Sequence, residues 1–246
     1  MEPPGGRRTS TGSVERVISA LRKHYGSPGR RAGGDPLDHL IGTILSQNTS
    51  DANTDRAYRA LRERFPTWEQ VRDATDAEVA QAIRSGGLAE QKAPRIRRIL
   101  QILTAERGRP DLGFLSDMAT EEAREWLQTL PGVGPKTASC VLLFALGRDV
   151  FPVDTHVERI AKRLGLVPAN TAPEGVQHAL EALTPEGGCL EGHLLLIGHG
   201  RALCRARSPL CQQCPVSAMC AFHARSESPA ALGAEAEVGH TEPDSP

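Results

Sequence analysis

Four cysteines near the C-terminus form the pattern in this sequence that most clearly indicates chemistry. They fall within 17 residues, with six, two and five residues between successive members: Cys204, Cys211, Cys214 and Cys220. Four thiolates this close together would repel one another unless a cation neutralised them, so the spacing indicates a metal centre rather than free buried thiols. The N-terminus lacks an apolar leader, so we expect a cytoplasmic protein, associated with the nucleoid if bacterial, in whose reducing environment disulfides are disfavoured.

Zinc and iron–sulfur remain the candidates for this centre. Structural zinc sites usually bring their ligands as two short knuckles separated by a longer span, whereas here one irregular loop carries all four cysteines. The loop therefore favours a 4Fe–4S cluster. Arg205 and Arg207 lie between the first two cysteines, so the folded loop is also a candidate for phosphate contact. Of the other cysteines, Cys140 is predicted to be buried on a helix, and Cys189 has no assigned role.

A second candidate site is a turn between two predicted helices, with the sequence LPGVG at residues 130–134. Its two glycines let the backbone approach a partner where a Cβ would clash. The backbone N–H groups of Gly132, Val133 and Gly134 are therefore predicted to reach a phosphate.

Lys136 follows this turn in the first turn of the next helix. It lies about 200° around that helix from Ala138, which begins the predicted core face, so its amine points away from the core. A cation is disfavoured at a helix N-terminus, and a neutral amine is a nucleophile. The alternative for Lys136 is an ordinary solvated surface lysine.

Asp154 begins the segment DTHVE, directly before another predicted helix. As a helix N-cap it would contribute about 1 kcal/mol, although Thr155 with Glu158 offers a rival capping box that would leave Asp154 outside the helix. Beside a neutral amine, the same carboxylate could instead stabilise positive charge on a sugar or receive a proton. Capping rules alone do not choose between these roles.

The composition is that of a globular chain built from helices. Of 246 residues, 39% are hydrophobic and only 4% aromatic, and helix-forming residues dominate, so we expect an all-α fold with an ample core. No strand pattern, internal repeat or membrane-spanning stretch is visible. The formal net charge of the whole chain is −1, but residues 1–224 alone carry a net charge of +3. A nucleic-acid partner is therefore not excluded. Residues 1–12 and the acidic tail at 224–246 lack periodic apolar positions and are expected to be disordered.

The predicted helices that must position these residues begin near residue 14. Asp35 and Pro36 open a helix whose apolar residues share one face: Leu37, Leu40, Ile41, Ile44 and Leu45. Capping boxes formed by Thr67 with Gln70, and by Thr75 with Glu78, open two more. Further helices are predicted over residues 14–24 and 120–130, and another ends near Gly108. Two or three more follow one another over residues 155–200.

Taken together, the motifs resemble the endonuclease III family of iron–sulfur DNA glycosylases. The resemblance spans residues 14–223 and is carried, in the family's order, by LPGVGPKTA at 130–138, VDTH at 153–156 and the four-cysteine loop. It implies a monomer that binds double-stranded DNA with damaged bases or abasic sites in a groove between two domains.

The resemblance also implies domain boundaries. A six-helix domain over residues 35–149 would contain a helix-hairpin-helix at about 121–146. An iron–sulfur cluster domain would be built from residues 13–34 and 150–223.

The implied reaction excises an oxidised pyrimidine from DNA in base excision repair. Lys136 would attack the C1′ carbon of a flipped nucleotide, displace the base and form a Schiff base, from which β-elimination cuts the strand. Asp154 would face Lys136 and support the positive charge at the sugar. The motifs leave open a mismatch-thymine or methylcytosine glycosylase, and a DNA-binding paralogue with weak catalysis.

The resemblance also assigns residues that fill the gap left by the flipped base. Leu88 lies at the position of the wedge, and Asn48 lies where the family usually has glutamine, with Gln47 one residue earlier. Apart from the resemblance, Gln47 and Asn48 are typical of a polar helix end. Pro135 replaces a basic residue before the lysine, and Gly86 replaces a bulky residue, which predicts a looser wedge loop.

Overall fold

A computed structural model describes residues 11–29 and 31–226 of the chain. The expected disorder of residues 1–10 and 227–246 lies outside these described residues. Within them, every regular element is helical, which confirms the all-α prediction. The α-helices are α1 Thr11–Tyr25, α2 Pro36–Ser46, α3 Asp51–Arg64, α4 Trp68–Asp73, α5 Asp76–Ala82, α6 Ala89–Arg107, α7 Thr120–Gln128, α8 Pro135–Phe144, α9 Thr155–Leu164, α10 Pro173–Leu183, α11 Cys189–Ala202 and α12 Ala221–Ser226.

The chain divides into two compact units. The central unit, residues 29–152, holds α2 to α8, and the terminal unit, residues 1–28 and 153–246, holds α1 and α9 to α12 in its described part. The boundaries thus fall after Pro28 and Pro152, whereas the sequence places them after residues 34 and 149. The segment before α2 joins the central unit because Gly33 donates its N–H to the carbonyl oxygen of Phe144 at 2.8 Å.

The core of the central unit forms around α2 and α8, which pack against each other. The predicted apolar stripe of α2 is confirmed, since Leu40, Ile41 and Leu45 have no exposed surface. The sequence predicts one core face for α8, but α8 is buried all round from Thr137 to Phe144. It is buried because α7 packs against it as well as α2.

The predicted helix starts of this unit are confirmed. The Asp35 carboxylate accepts hydrogen bonds from the backbone N–H groups of Leu37 and Asp38 at 2.8 and 3.0 Å, and Pro36 is the first residue of α2. Both capping boxes form, at Thr67 before α4 and at Thr75 before α5. Caps of this kind each contribute about 1 kcal/mol.

In the terminal unit, α1 packs against α10 and α11, and α9 packs against α11 and α12. Helix α1 begins at Thr11, and α12 includes residues 224–226, so these two edges are helical rather than disordered. Burial of Val14 and Val17 stabilises α1, and the guanidinium of Arg163, 4.6 Å from the ring centre of Phe222, holds α12.

None of the helices in the described ranges has both the length and the apolar character that a bilayer crossing requires.

Candidate functional site

The turn predicted to contact phosphate joins α7 to α8. Gly132 has a φ of 77°, so its backbone conformation favours glycine, and a Cβ there would lie 3.0 Å from Cδ of the exposed Arg95 side chain, which would have to move aside. Val133 is buried, and its N–H donates to the carbonyl oxygen of Leu130 at 3.1 Å, so this N–H is engaged inside the turn. The exposed residues of the turn are Gly132 and Gly134.

Gly134 differs from Gly132, because nothing in the described chain requires glycine there. Its φ is −93°, which any residue adopts, and a Cβ would meet no atom within 4 Å. Gly134 is the N-cap of α8, Pro135 is its first residue, and the half-buried Lys136 lies in its first turn. Lys136 is therefore positioned directly beside the exposed turn.

Two further loops of the central unit carry the predicted gap-filling residues. Gln47 follows α2 as its C-cap and donates from Nε2 to the carbonyl oxygen of Gly132 at 3.4 Å, which links this loop to the turn before α8. Asn48 follows, exposed, with a φ of 56°. Leu88 precedes α6 with a φ of 49°, and the residue is 45% exposed.

This conformation of Asn48 and Leu88 is unusual. The left-handed region costs a residue such as leucine about 1–2 kcal/mol, whereas asparagine tolerates it, and such strain persists where the surrounding structure imposes it. Leu88 is, with Tyr25, one of two large apolar side chains exposed among the described residues. Both residues are therefore exposed to solvent, and Leu88 is held there on backbone in an unfavourable conformation.

The prediction that Gly86 loosens the loop before Leu88 is wrong. Gly86 is buried in the 3₁₀ turn Arg84–Gly86, and a Cβ there would lie only 3.0 Å from Cβ of Ala57 on α3. Its carbonyl oxygen accepts a hydrogen bond from Nζ of Lys92 at 2.9 Å. Gly86 thus lets the loop pack tightly against α3.

Asp154 is the N-cap of α9 in the terminal unit. Its Oδ1 atom accepts hydrogen bonds from the backbone N–H groups of His156 and Val157 at 2.9 and 2.8 Å, and α9 begins at Thr155. The rival capping box does not form, because Asp154 is the N-cap and Thr155 is already helical, and the Glu158 carboxylate pairs instead with Lys162 at 2.6 Å. Both capping bonds use one oxygen, so the cap does not occupy Oδ2.

The four cysteines of the C-terminal loop line a single cavity with about 300 Å³ of empty space, part of it open to solvent. Burial raises the pKa of the Cys214 thiol, and the other three thiols raise it further. No three His, Cys, Asp or Glu side chains of the described ranges form a group that would hold a single metal ion. Four thiols around one cavity fit the ligand set of a 4Fe–4S cluster, whose iron would relieve the repulsion among them.

Arginines of α9 hold this loop. Arg159 donates from Nη2 to the carbonyl oxygen of Cys204 at 2.8 Å, and Arg163 donates to the carbonyl oxygens of Arg205 and Ala206 at 2.7 and 3.0 Å. Arg163 also donates to Sγ of Cys204 at 3.4 Å. Sequence reasoning missed both arginines, although their spacing of four residues places them on one face of α9.

His199 and Tyr25 form a second contact with the cysteines. The ring of His199 is buried, with Nε2 at 3.5 Å from Sγ of Cys214 and Nδ1 at 2.9 Å from the hydroxyl of Tyr25. Burial, and then the nearby His24, lower the pKa of His199 to about 4. No local pattern in the sequence indicates this contact.

Arg205 and Arg207 are exposed on the cysteine loop, so both can reach an anionic partner. They belong to the terminal unit with Asp154. Lys136, the glycine turn and the loops of Asn48 and Leu88 belong to the central unit.

Comparison with known proteins decides the family. Residues 41–186 match the model of the HhH-GPD superfamily of base excision DNA repair proteins, and residues 204–220 match the iron–sulfur binding domain of endonuclease III. The endonuclease III of Thermotoga maritima is 38% identical over 214 residues, which cover 86% of this chain and 94% of that protein. The chain belongs to the endonuclease III family. It is an endonuclease III-like DNA glycosylase of base excision repair with a 4Fe–4S cofactor.

Two further similarities agree with this family. A protein of Arabidopsis thaliana that is named provisionally as a DNA glycosylase is 43% identical to this chain over 165 residues. The aligned region covers 67% of this chain but only 56% of that protein. The solved structure of a non-covalent endonuclease III–DNA complex is 28% identical, covers 88% of this chain and 97% of that one, and superposes with a TM-score of 0.75. In this endonuclease III-like chain, the four cysteines would hold the cluster.

Proposed function

We propose that this endonuclease III-like protein is a bifunctional enzyme that excises oxidised pyrimidines and cuts abasic sites through a Schiff base on Lys136. The main observation in support is the location of Lys136 in the first turn of α8. There it lies beside an exposed glycine turn and in the same unit as the loops of Asn48 and Leu88. A solved relative, 28% identical, is described as a trapped endonuclease III–DNA covalent intermediate.

The distribution of lysines supports this nucleophile. The whole chain contains four: Lys23, Lys92, Lys136 and Lys162. Lys92 is 1% exposed and donates to two carbonyl oxygens, and Lys162 pairs with Glu158 at 2.6 Å. Lys23 is exposed near the end of α1, in the terminal unit. Of the two lysines in the central unit, Lys92 is buried and Lys136 lies beside the candidate DNA-binding turn.

The proposed reaction balances without an external oxidant or reductant. The neutral amine of Lys136 attacks C1′, the C1′–N bond breaks, and the base leaves with a proton. The sugar ring opens to a Schiff base, which acidifies C2′. Loss of a C2′ proton then expels the 3′ phosphate and cuts the strand. Asp154, with Oδ2 outside its capping bonds, supports positive charge at the sugar and takes part in proton transfer.

The proposed DNA contacts are backbone and side-chain groups at the exposed edges of each unit. At Gly134, neither space nor φ within the chain requires glycine, so close approach of a phosphate accounts for it. Arg205 and Arg207 would contact phosphate from the folded cysteine loop. Leu88 and Asn48, with Gln47 behind, would fill the gap that a flipped nucleotide leaves.

Borohydride trapping tests the proposal. The protein is incubated with an abasic-site duplex and sodium borohydride, which reduces a Schiff base to a stable adduct. We expect an adduct with the natural chain and none with Lys136→Ala, while Lys23→Ala, the matched control, traps normally. An adduct that persists in Lys136→Ala, or no adduct with the natural chain, would refute the assignment.

The choice of lesion requires a second experiment. A panel of duplexes that differ in one base would include thymine glycol, a G·T mismatch and 5-methylcytosine. We expect the fastest excision from the thymine glycol duplex. Faster release of thymine from the mismatch, or of methylcytosine, would assign the enzyme to those substrates instead.

A further inference from the structure

Lys92 is a buried lysine that the proposed reaction does not use. It lies on α6 with 1% of its surface exposed, and burial lowers its pKa. Its Nζ atom donates to the carbonyl oxygen of Leu45 at 2.7 Å and to that of Gly86 at 2.9 Å. Both hydrogen bonds matter for stability, because a buried amine without acceptors would be strongly destabilising.

The two acceptors belong to the two loops that carry the gap-filling residues. Leu45 lies in the last turn of α2, three residues before Asn48, and Gly86 lies two residues before Leu88. The backbone N–H of Lys92 also donates to the carbonyl oxygen of Leu88 at 2.9 Å. The side chain of this one residue therefore bonds to both loops, whereas its N–H bond to Leu88 is the ordinary first-turn bond of α6.

A lysine that merely caps α2 would explain only part of this geometry. The end of α2 leaves carbonyl oxygens without helical partners, and a cation there is favourable. That role accounts for the bond to Leu45 but not for the bond to Gly86, which belongs to a different segment 41 residues later. The left-handed conformation of Leu88, at a φ of 49°, opposes the preference of leucine and indicates that its loop is imposed by its surroundings, whereas asparagine tolerates the φ of 56° at Asn48.

We propose that Lys92 is a positioning residue that holds the loops of Asn48 and Leu88 in a fixed relation, so that the two side chains enter the base stack as one unit. This inference rests on the proposed function, in which both side chains enter DNA. Lys92 touches neither the substrate nor the reacting atoms.

The test compares Schiff-base formation on two abasic substrates. In a duplex the two side chains must enter the stack, whereas a single-stranded oligonucleotide has no stack to enter. Lys92→Met removes both hydrogen bonds and keeps the length of the side chain. We expect Lys92→Met to slow borohydride trapping on the duplex by about tenfold or more and on the single strand by less than about threefold. Lys23→Met, at an exposed site, serves as the matched control.

A double-mutant cycle gives a second readout. With Lys92 present, we expect Asn48→Ala and Leu88→Ala to be coupled, so that the rate loss of the double variant differs from the product of the single losses by about fivefold or more. In the Lys92→Met background, the rate loss of the double variant should equal the product of the two single losses to within about twofold. Coupling that survives Lys92→Met would overturn the inference.

Other outcomes remain decisive. Equal slowing on both substrates would mean that Lys92 is only structural, and would refute the positioning role. If Lys92→Met melts below the assay temperature, Lys92→Leu, which also lacks a hydrogen-bond donor, replaces it under the same criteria, and both assays are run at a temperature at which the variant is folded. Failure of the natural chain to trap either substrate would refute the proposed function itself and is thus distinguishable.

Discussion

Replacing Asp154 in two ways separates its capping role from its proposed catalytic role. Asn is as good an N-cap as Asp, and its side-chain oxygen can accept both hydrogen bonds that Oδ1 now accepts from His156 and Val157. Ala can accept neither bond. Asp154→Asn therefore removes the charge and retains the cap, whereas Asp154→Ala removes both.

The structure gives the expected magnitudes. Loss of the cap in Asp154→Ala should cost about 1 kcal/mol, which lowers the melting temperature by about 2–4 °C in a chain of this size. Asp154→Asn should melt within about 1 °C of the natural chain. Both variants should lose about 10²–10³-fold in the rate of base excision, because the carboxylate that would stabilise charge at the sugar is absent.

Single-turnover excision from a thymine glycol duplex and thermal unfolding provide the two measurements. Asp35 is a matched control, because it caps α2 with the same pair of hydrogen bonds, at 2.8 and 3.0 Å, and has no proposed catalytic role. Asp35→Ala should lose the same stability as Asp154→Ala and keep its excision rate.

One pattern of results would refute the catalytic role. If Asp154→Asn excises at the natural rate while Asp154→Ala is slow and less stable, Asp154 acts through the cap alone. A slow Asp154→Asn that also melts several degrees lower would mean instead that the variant disturbs the fold.

Three further predictions concern the cluster loop, the glycine turn and acid stability. Arg163→Met removes the side chain that donates to Sγ of Cys204, so the cluster should be lost faster to a chelator. We expect the half-life of the cluster's absorbance near ~400 nm in the presence of chelator to shorten by about tenfold or more. An unchanged half-life would show that Arg163 does not support the cluster. Gly134→Ala should weaken duplex binding by about tenfold at an unchanged melting temperature. Gly132→Ala should instead cost about 1 kcal/mol of stability, because the φ of Gly132 is 77° and Arg95 lies close. Equal effects of the two substitutions on stability would contradict the geometry. Hydrogen bonding to Arg22 lowers the pKa of Glu191 from 4.5, so the small stability from this solvent-screened pair is present above pH 4.5 and is lost as the pH falls below it. Glu191→Gln should therefore melt below the natural chain at neutral pH and converge with it in acid. A constant difference in melting temperature would refute the linkage.

Local signals made several features predictable. The cap at Asp35, the capping boxes at Thr67 and Thr75, and the α2 stripe each depend on residues within one or two helical turns. The four cysteines were similarly informative, because their spacing alone limits them to one loop and hence to one cavity.

Contacts between distant segments were not predictable from the sequence. Lys92 binds the carbonyl oxygen of Leu45, 47 residues away, and Arg163 reaches Cys204 across 41 residues. Nothing near Leu88 signals its left-handed backbone, since that conformation is imposed by packing and opposes the preference of leucine. The expected looseness at Gly86 failed for the same reason, because Ala57 on α3 leaves no space for a Cβ.

The most direct test of the central claim is to identify which lysine carries the DNA after borohydride reduction. The adduct is digested, and the modified peptide is sequenced by mass spectrometry, which distinguishes all four lysines of the chain. The account predicts modification at Lys136. Modification at Lys23, Lys92 or Lys162 instead would contradict it.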